Sequence, residues 1–195
     1  ATAGTSNFRA GVNAGNSIVS GGNYNTVVGD EAGTAITTGD SNVAIGYRAL
    51  DATTTGSQNV AIGQDSLGAN TGGGNTAVGQ AALWKNTTGG ASVAVGTNAL
   101  TASTTGDNNT AVGYGALIAN TTASNNTAVG REALTANTTG ASNVAIGYSS
   151  LAANTTAANN TAVGYNSLLA NTTGASNVAV GALALDANTT ANYNN

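Results

Sequence analysis

Few side chains in this 195-residue chain could do acid–base, nucleophilic or metal chemistry. It carries eight carboxylates, four basic residues, no His and no Cys. Without His the commonest general base and metal ligand are missing, and without Cys there is neither a thiolate nucleophile nor a disulfide. The acids Asp30, Glu31, Asp65 and Glu132 are spread along the sequence, with no spacing that pairs them as a general acid and base. Calcium-binding roll repeats place Asp at a regular position, which these acids do not supply. Gly72-Gly73-Gly74 lacks the Lys and the following helix of a phosphate loop. The expectation is therefore no catalytic residue, no metal site and no cofactor: a protein that is not an enzyme.

The residues that remain are organised by a repeat. A tripeptide ending Val/Ile-Gly recurs with its glycine at Gly29, Gly46, Gly63, Gly79, Gly96, Gly113, Gly130, Gly147, Gly164 and Gly181, spaced by 17 residues except for 16 between Gly63 and Gly79. A degenerate copy, Asn7-Phe8-Arg9-Ala10-Gly11, precedes them by 18. A short fixed period marks a solenoid in which each repeat stacks on the next. Counting from the glycine as zero, position −1 is Val or Ile, −2 is Ala in nine of the ten copies, +3 is Ala or Ser and +4 is Leu in nine. β-Branched residues in runs too short for a helix predict strands, with the glycine as the kink between two of them and Ala-Asn-Thr-Thr-Gly-Ala-Ser as the connecting turn. The 16-residue interval loses its residue within Asn70–Gly74, in that turn, so strand register is expected to survive it. Position −4 is Asn in nine copies, and stacking would make it a hydrogen-bonded ladder.

The chain thus reads as an all-β parallel β-solenoid or β-roll of about 11 coils. Residues 1–28 would form a degenerate first repeat or cap, 29–190 the repeat array and 191–195 a tail. The −1 and +4 side chains are expected inside every coil. So little apolar surface per repeat suggests that several chains associate, with the small residues at −2 and +3 between them.

Within this register three sets of residues are candidates for recognition. Positions +1 and +2 vary while their neighbours do not, and they carry Tyr47, Arg48, Tyr114, Arg131, Glu132, Tyr148 and Tyr165. Variable polar and aromatic residues on a repetitive scaffold suit an outward contact face. Asn-x-Ser/Thr sequons at Asn86, Asn108, Asn120, Asn125, Asn137, Asn154, Asn159, Asn171 and Asn188 would permit glycosylation of exposed turns. Thr columns at +8, from Thr37 to Thr189, would suit a ligand- or ice-binding solenoid if they lay on a flat face.

Charge narrows the partners. Arg9, Arg48, Lys85 and Arg131 cannot form the basic footprint that nucleic acid requires, and the net charge is −4. No apolar run approaches the ~20 residues of a membrane span, and no signal peptide is visible.

Asn42-Val43-Ala44-Ile45-Gly46, Asn59-Val60-Ala61-Ile62-Gly63 and Asn143-Val144-Ala145-Ile146-Gly147 resemble the head repeats of trimeric autotransporter adhesins. The longer unit, Asn126-Thr127-Ala128-Val129-Gly130 with Ala133-Leu134 and Asn137-Thr138-Thr139, is similar to the repeat shafts of phage tail fibres and other surface fibres. The resemblance covers about residues 7–190. The adhesin repeat is about three residues shorter, a difference falling in the Asn-Thr-Thr connector. The resemblance implies a left-handed β-roll and a homotrimer displayed on a cell or virion surface, self-associating and open to joining end to end. Its function would be a structural and adhesive extracellular fibre segment, with a cell-surface or matrix receptor as partner.

Overall fold

Residues 4–195 are described by a computed structural model. Residues 1–3 of the expected N-terminal repeat lie outside the described residues. The chain is a parallel β-solenoid with no helix among the described residues. Each coil contributes one strand of three residues: β1 (Phe8–Ala10), β2 (Thr26–Val28), β3 (Val43–Ile45), β4 (Val60–Ile62), β5 (Thr76–Val78), β6 (Val93–Val95), β7 (Thr110–Val112), β8 (Thr127–Val129), β9 (Val144–Ile146), β10 (Thr161–Val163) and β11 (Val178–Val180). They form a single sheet in sequence order, each paired in parallel with the next. The degenerate first copy joins it in register, Arg9 opposite Val27. Register also survives the 16-residue interval, with Ala61 opposite Ala77.

Two expectations are corrected. First, the glycine does not join two strands. The segment after it is a succession of tight turns whose amides donate up or down the stack, as Leu50 N does to Ser66 O at 3.0 Å. The +2 and +4 residues there take left-handed backbone, with Leu50 at φ 56° and Leu134 at φ 53°. This backbone costs a leucine about 1–3 kcal/mol, and burying its side chain returns about 1.5–3 kcal/mol. Each Leu from Leu50 to Leu168 at +4 is fully buried, so the two effects roughly offset. The backbone hydrogen bonds of the turn then settle the conformation.

Second, −1 is not inside. A strand alternates its side chains, so the buried Ala at −2 turns −3 and −1 outward. Ala44, Ala61, Ala77, Ala94, Ala111, Ala128, Ala145 and Ala162 are fully buried. Ile45, Ile62 and Ile146 at −1 are exposed. The expected interchain contact through −2 and +3 falls for the same reason, because Ala49, Ala82, Ala99, Ala116 and Ala133 at +3 are also buried within their own chain. The core is a column of Ala, Ala and Leu closed inside each coil.

The first two coils fill that core differently. Gly15 and Gly33 stand at the leucine position, and a Cβ on Gly33 would come within 2.8 Å of Ile36 Cδ1. Ile36 and Ile18, three residues further on, are buried in the leucine's place. Apolar volume has moved along the turn without being lost, as close packing requires.

Two asparagine ladders complete the interior. At −4, Asn42 Nδ2 donates to Asn25 Oδ1 at 3.1 Å and to the Gly56 carbonyl at 3.0 Å, while its backbone N–H reaches the same Asn25 Oδ1 at 2.9 Å. A second ladder at +7 runs Asn120, Asn137, Asn154, Asn171, with Asn137 Nδ2 bonded to Asn120 Oδ1 at 3.2 Å and to Gly140 O at 2.9 Å. These amides satisfy turn carbonyls that would otherwise be buried without partners.

Candidate functional site

The turn after each glycine brings four of the candidate residues into one file. Tyr148 and Tyr165, on successive coils, stack with ring centroids 5.6 Å apart and planes 14° from parallel. The Arg131 guanidinium lies 5.8 Å from the centroids of both Tyr114 and Tyr148, between the two rings. Glu132 sits beside it, 3.2 Å from Arg131 Nη2. Four coils therefore carry a continuous exposed stack of ring, cation, ring and ring. Its components face one another, so a partner meets ring edges, phenol hydroxyls and the outer side of the guanidinium. Exposed cation–π pairs contribute about 0.5–1 kcal/mol each, a weak bias towards this stacked arrangement.

Tyr47 is exposed but stands apart, with Gln64, Gln80 and Thr97 at +1 on the three intervening coils. Arg48 belongs to a different arrangement. Its Nε donates to Asp51 Oδ2 at 3.0 Å and lies 3.9 Å from Glu31 Oε2. The bond to Asp51, with that residue's charge, raises the Arg48 pKa still further above its ordinary value, so the cation is permanent. Solvent-exposed pairs of this kind add little stability. No group of His, Cys, Asp and Glu that could hold a metal ion occurs among the described residues. Nor is any helix there long and apolar enough to cross a membrane.

The sequons separate into two classes. Asn86, Asn120, Asn137, Asn154 and Asn171 occupy the +7 ladder and are buried, and Asn188, at its end, is half-buried with Nδ2 bonded to Asn171 Oδ1 at 3.0 Å. Their expected exposure is corrected: the nitrogen that would carry a glycan is committed inside the coil. Asn108, Asn125 and Asn159, at −5 in an outer bend, are exposed. A transferase acting on the folded chain is expected to modify only these three. Peptide mass mapping after such treatment checks this, and occupancy at Asn137 or Asn154 would contradict it.

The +8 threonines do not form a flat rank. They lie in the bend after the +7 ladder, and eight of the ten hydroxyls are already used, each donating to a carbonyl of the next coil: Thr37 Oγ1 to Thr54 O at 3.0 Å, Thr71 Oγ1 to Thr87 O at 2.8 Å and Thr87 Oγ1 to Thr104 O at 2.9 Å among them.

Two features escaped the sequence reading. Trp84 lies over Gly68 of the preceding coil, where an added Cβ would be 2.8 Å from indole Cδ1, and Lys85 Nζ is 5.8 Å from its ring centroid. The signal was a glycine at +5 one repeat before the single Trp. The larger omission is the outer face of the sheet. Every −3 and −1 residue from Thr26 to Val180 is Thr, Val or Ile, and each is half-buried or exposed. That face is β-branched and without charge over ten coils.

No protein-family model matches the chain, and neither a curated protein nor a solved structure matches it significantly.

Proposed function

We propose that the chain is a structural and adhesive segment of an extracellular fibre, working as a homotrimer that spaces and displays a repetitive surface. The observation that carries this reading is the charge-free outer face built from positions −3 and −1. A strip of β-branched side chains this continuous is the kind of apolar surface that marks an interaction site on a soluble protein. Ten steps of ~4.8 Å and three residues of ~3.3 Å give it on the order of 500 Å² per chain. Three such faces together reach the ~1,200–2,000 Å² of specific interfaces, whereas two fall short. Closure around a threefold axis would cover the strip on every chain and leave the turns outside.

Those turns carry the Tyr114–Arg131–Tyr148–Tyr165 file, which a trimer would present three times. Weak contacts then sum, provided the partner surface spans several files. The resemblance to adhesin heads and fibre shafts points the same way and supplies the cell or virion surface as location. A closed core of Ala, Leu and bonded Asn offers rigidity and length in place of a catalytic cleft, so we read the chain as non-enzymatic.

Sedimentation of the chain in dilute solution tests the assembly. A species of three times 18.6 kDa is expected. A monomer that persists at high concentration would overturn it. Adhesion is tested separately on a Tyr114→Ala, Tyr148→Ala, Tyr165→Ala variant, which should remain trimeric and lose most of its binding to cells.

A further inference from the structure

In most coils a side-chain amide from −4 or +7 donates to the turn carbonyl at −7 of the next repeat. Asn75 and Asn86 both reach Gly89 O, at 2.8 Å each, and Asn109 and Asn120 both reach Ala123 O. One coil departs. The repeat built on Gly96 has Ser92 at −4 and Ser103 at +7, so both ladders are interrupted in the same turn of the solenoid. Neither hydroxyl reaches the Gly106 carbonyl: Ser92 Oγ bonds Gly90 O at 3.4 Å instead, and Ser103 Oγ has no partner. Below it Asn86 has spent both N–H groups, on Asn70 Oδ1 at 2.7 Å and Gly89 O, and its buried Oδ1 also has no partner.

Three polar groups therefore converge where the other coils hold a carboxamide: the Asn86 Oδ1 acceptor, the Gly106 carbonyl acceptor and the Ser103 hydroxyl. Asn86 and Ser103 are 1% and 0% exposed, and Gly106 is buried. Elsewhere one nitrogen with two protons serves both acceptors, as Asn137 Nδ2 does for Asn120 Oδ1 and Gly140 O. Water also places two protons on one heavy atom. It can donate to both acceptors while accepting the Ser103 hydroxyl, which gives the three bonds usual for a buried water. Exchanging an Asn side chain for Ser removes three heavy atoms and adds one, leaving about the space a water fills. We infer that this coil binds a single buried water molecule, held by Asn86 Oδ1, Gly106 O and Ser103 Oγ in place of the missing amide nitrogen.

Two variants test the site by the sign of their effects. Ser103→Asn supplies the amide itself and releases the water, keeping the bonds to both acceptors without the entropy cost of holding a water, and should lower the unfolding equilibrium constant by up to about tenfold. Ser103→Ala removes the one donor to the water and should raise that constant several-fold. In a dry gap the same change would delete an unsatisfied hydroxyl and stabilise the chain, a result that overturns the proposal. A crystal structure of the unmodified chain should show density within hydrogen-bonding distance of all three atoms. A direct Ser103–Asn86 bond, or no density between them, would equally overturn it.

Discussion

Gly96→Ala is expected to cost the rod more than about 3 kcal/mol, a fall of roughly 6–12 °C in the thermal midpoint of a chain this size. Two effects act together. Gly96 has φ +133°, a backbone region that a side chain makes unfavourable by about 1–3 kcal/mol. A Cβ there would also lie 2.6 Å from the carbonyl oxygen of Gly113 and 2.7 Å from its carbon, so the coils would have to part. Gly181 separates the two. It has φ +129°, yet a Cβ on it meets nothing within 4 Å, so Gly181→Ala should lose only the conformational part. Paired denaturation curves for the two variants check this. Equal losses would mean that the close approach of stacked glycines contributes nothing.

The comparison also sorts the glycines, which sequence alone could not do. A second glycine column at −7, seen in Gly106, Gly140 and Gly174, looks as regular as the first. Ala123, Ala157 and Ala191 replace it in other repeats. These positions lack left-handed backbone, and Ala123 and Ala157 are buried without disturbing the stack. A Cβ on Gly106 or Gly140 would also meet the next coil's carbonyl oxygen, that of Ala123 or Ala157, so contact does not separate the columns; the column at zero admits no replacement in any clear copy because its φ lies where a side chain is unfavourable.

The period alone disclosed the solenoid, because stacking identical units is what a strict repeat can do. The −4 ladder was legible for the same reason: an amide that recurs at one level must meet itself. What was not legible was direction. Val and Ile at −1 look like core because they are the most apolar residues of the strand, yet Ala at −2 occupies the inside. The deciding fact is the tight closure of the coil, which leaves room at the strand for a methyl group and reserves the larger space for Leu at +4. Composition ranks hydrophobicity but carries no measure of that radius. The Tyr114–Arg131–Tyr148–Tyr165 file was visible as a column, since coils one repeat apart must stack. Its cation between rings was not, because rotamers follow from neighbours. The burial of the sequon asparagines was hidden because Asn-Thr-Thr is a good turn on either face, and only the ladder bonds tell which way the amide points.

Adjacent residues of β8 give the sharpest separation of inside from outside. Ala128→Asp puts a carboxylate into a fully buried site with no cation near it, where charge must be neutralised or water admitted. The coil cannot do this while its backbone pairs to both neighbours, so loss of the strand signal in circular dichroism at 25 °C is expected. Val129→Asp changes the next residue, which is half-buried on the outer face. A single chain can solvate that carboxylate, so the solenoid should keep its strand signal. In the proposed trimer, however, three such charges would meet at one level near the threefold axis. Like charges brought out of water together repel strongly at that range, and association should weaken by at least a hundredfold. Circular dichroism and sedimentation on the two variants thus give opposite patterns. Ala128→Asp is expected to abolish fold and assembly, Val129→Asp assembly alone. If Val129→Asp sediments as the unmodified chain does, the outer face is not where the chains meet. If Ala128→Asp folds normally, the core has been placed on the wrong side of the strand.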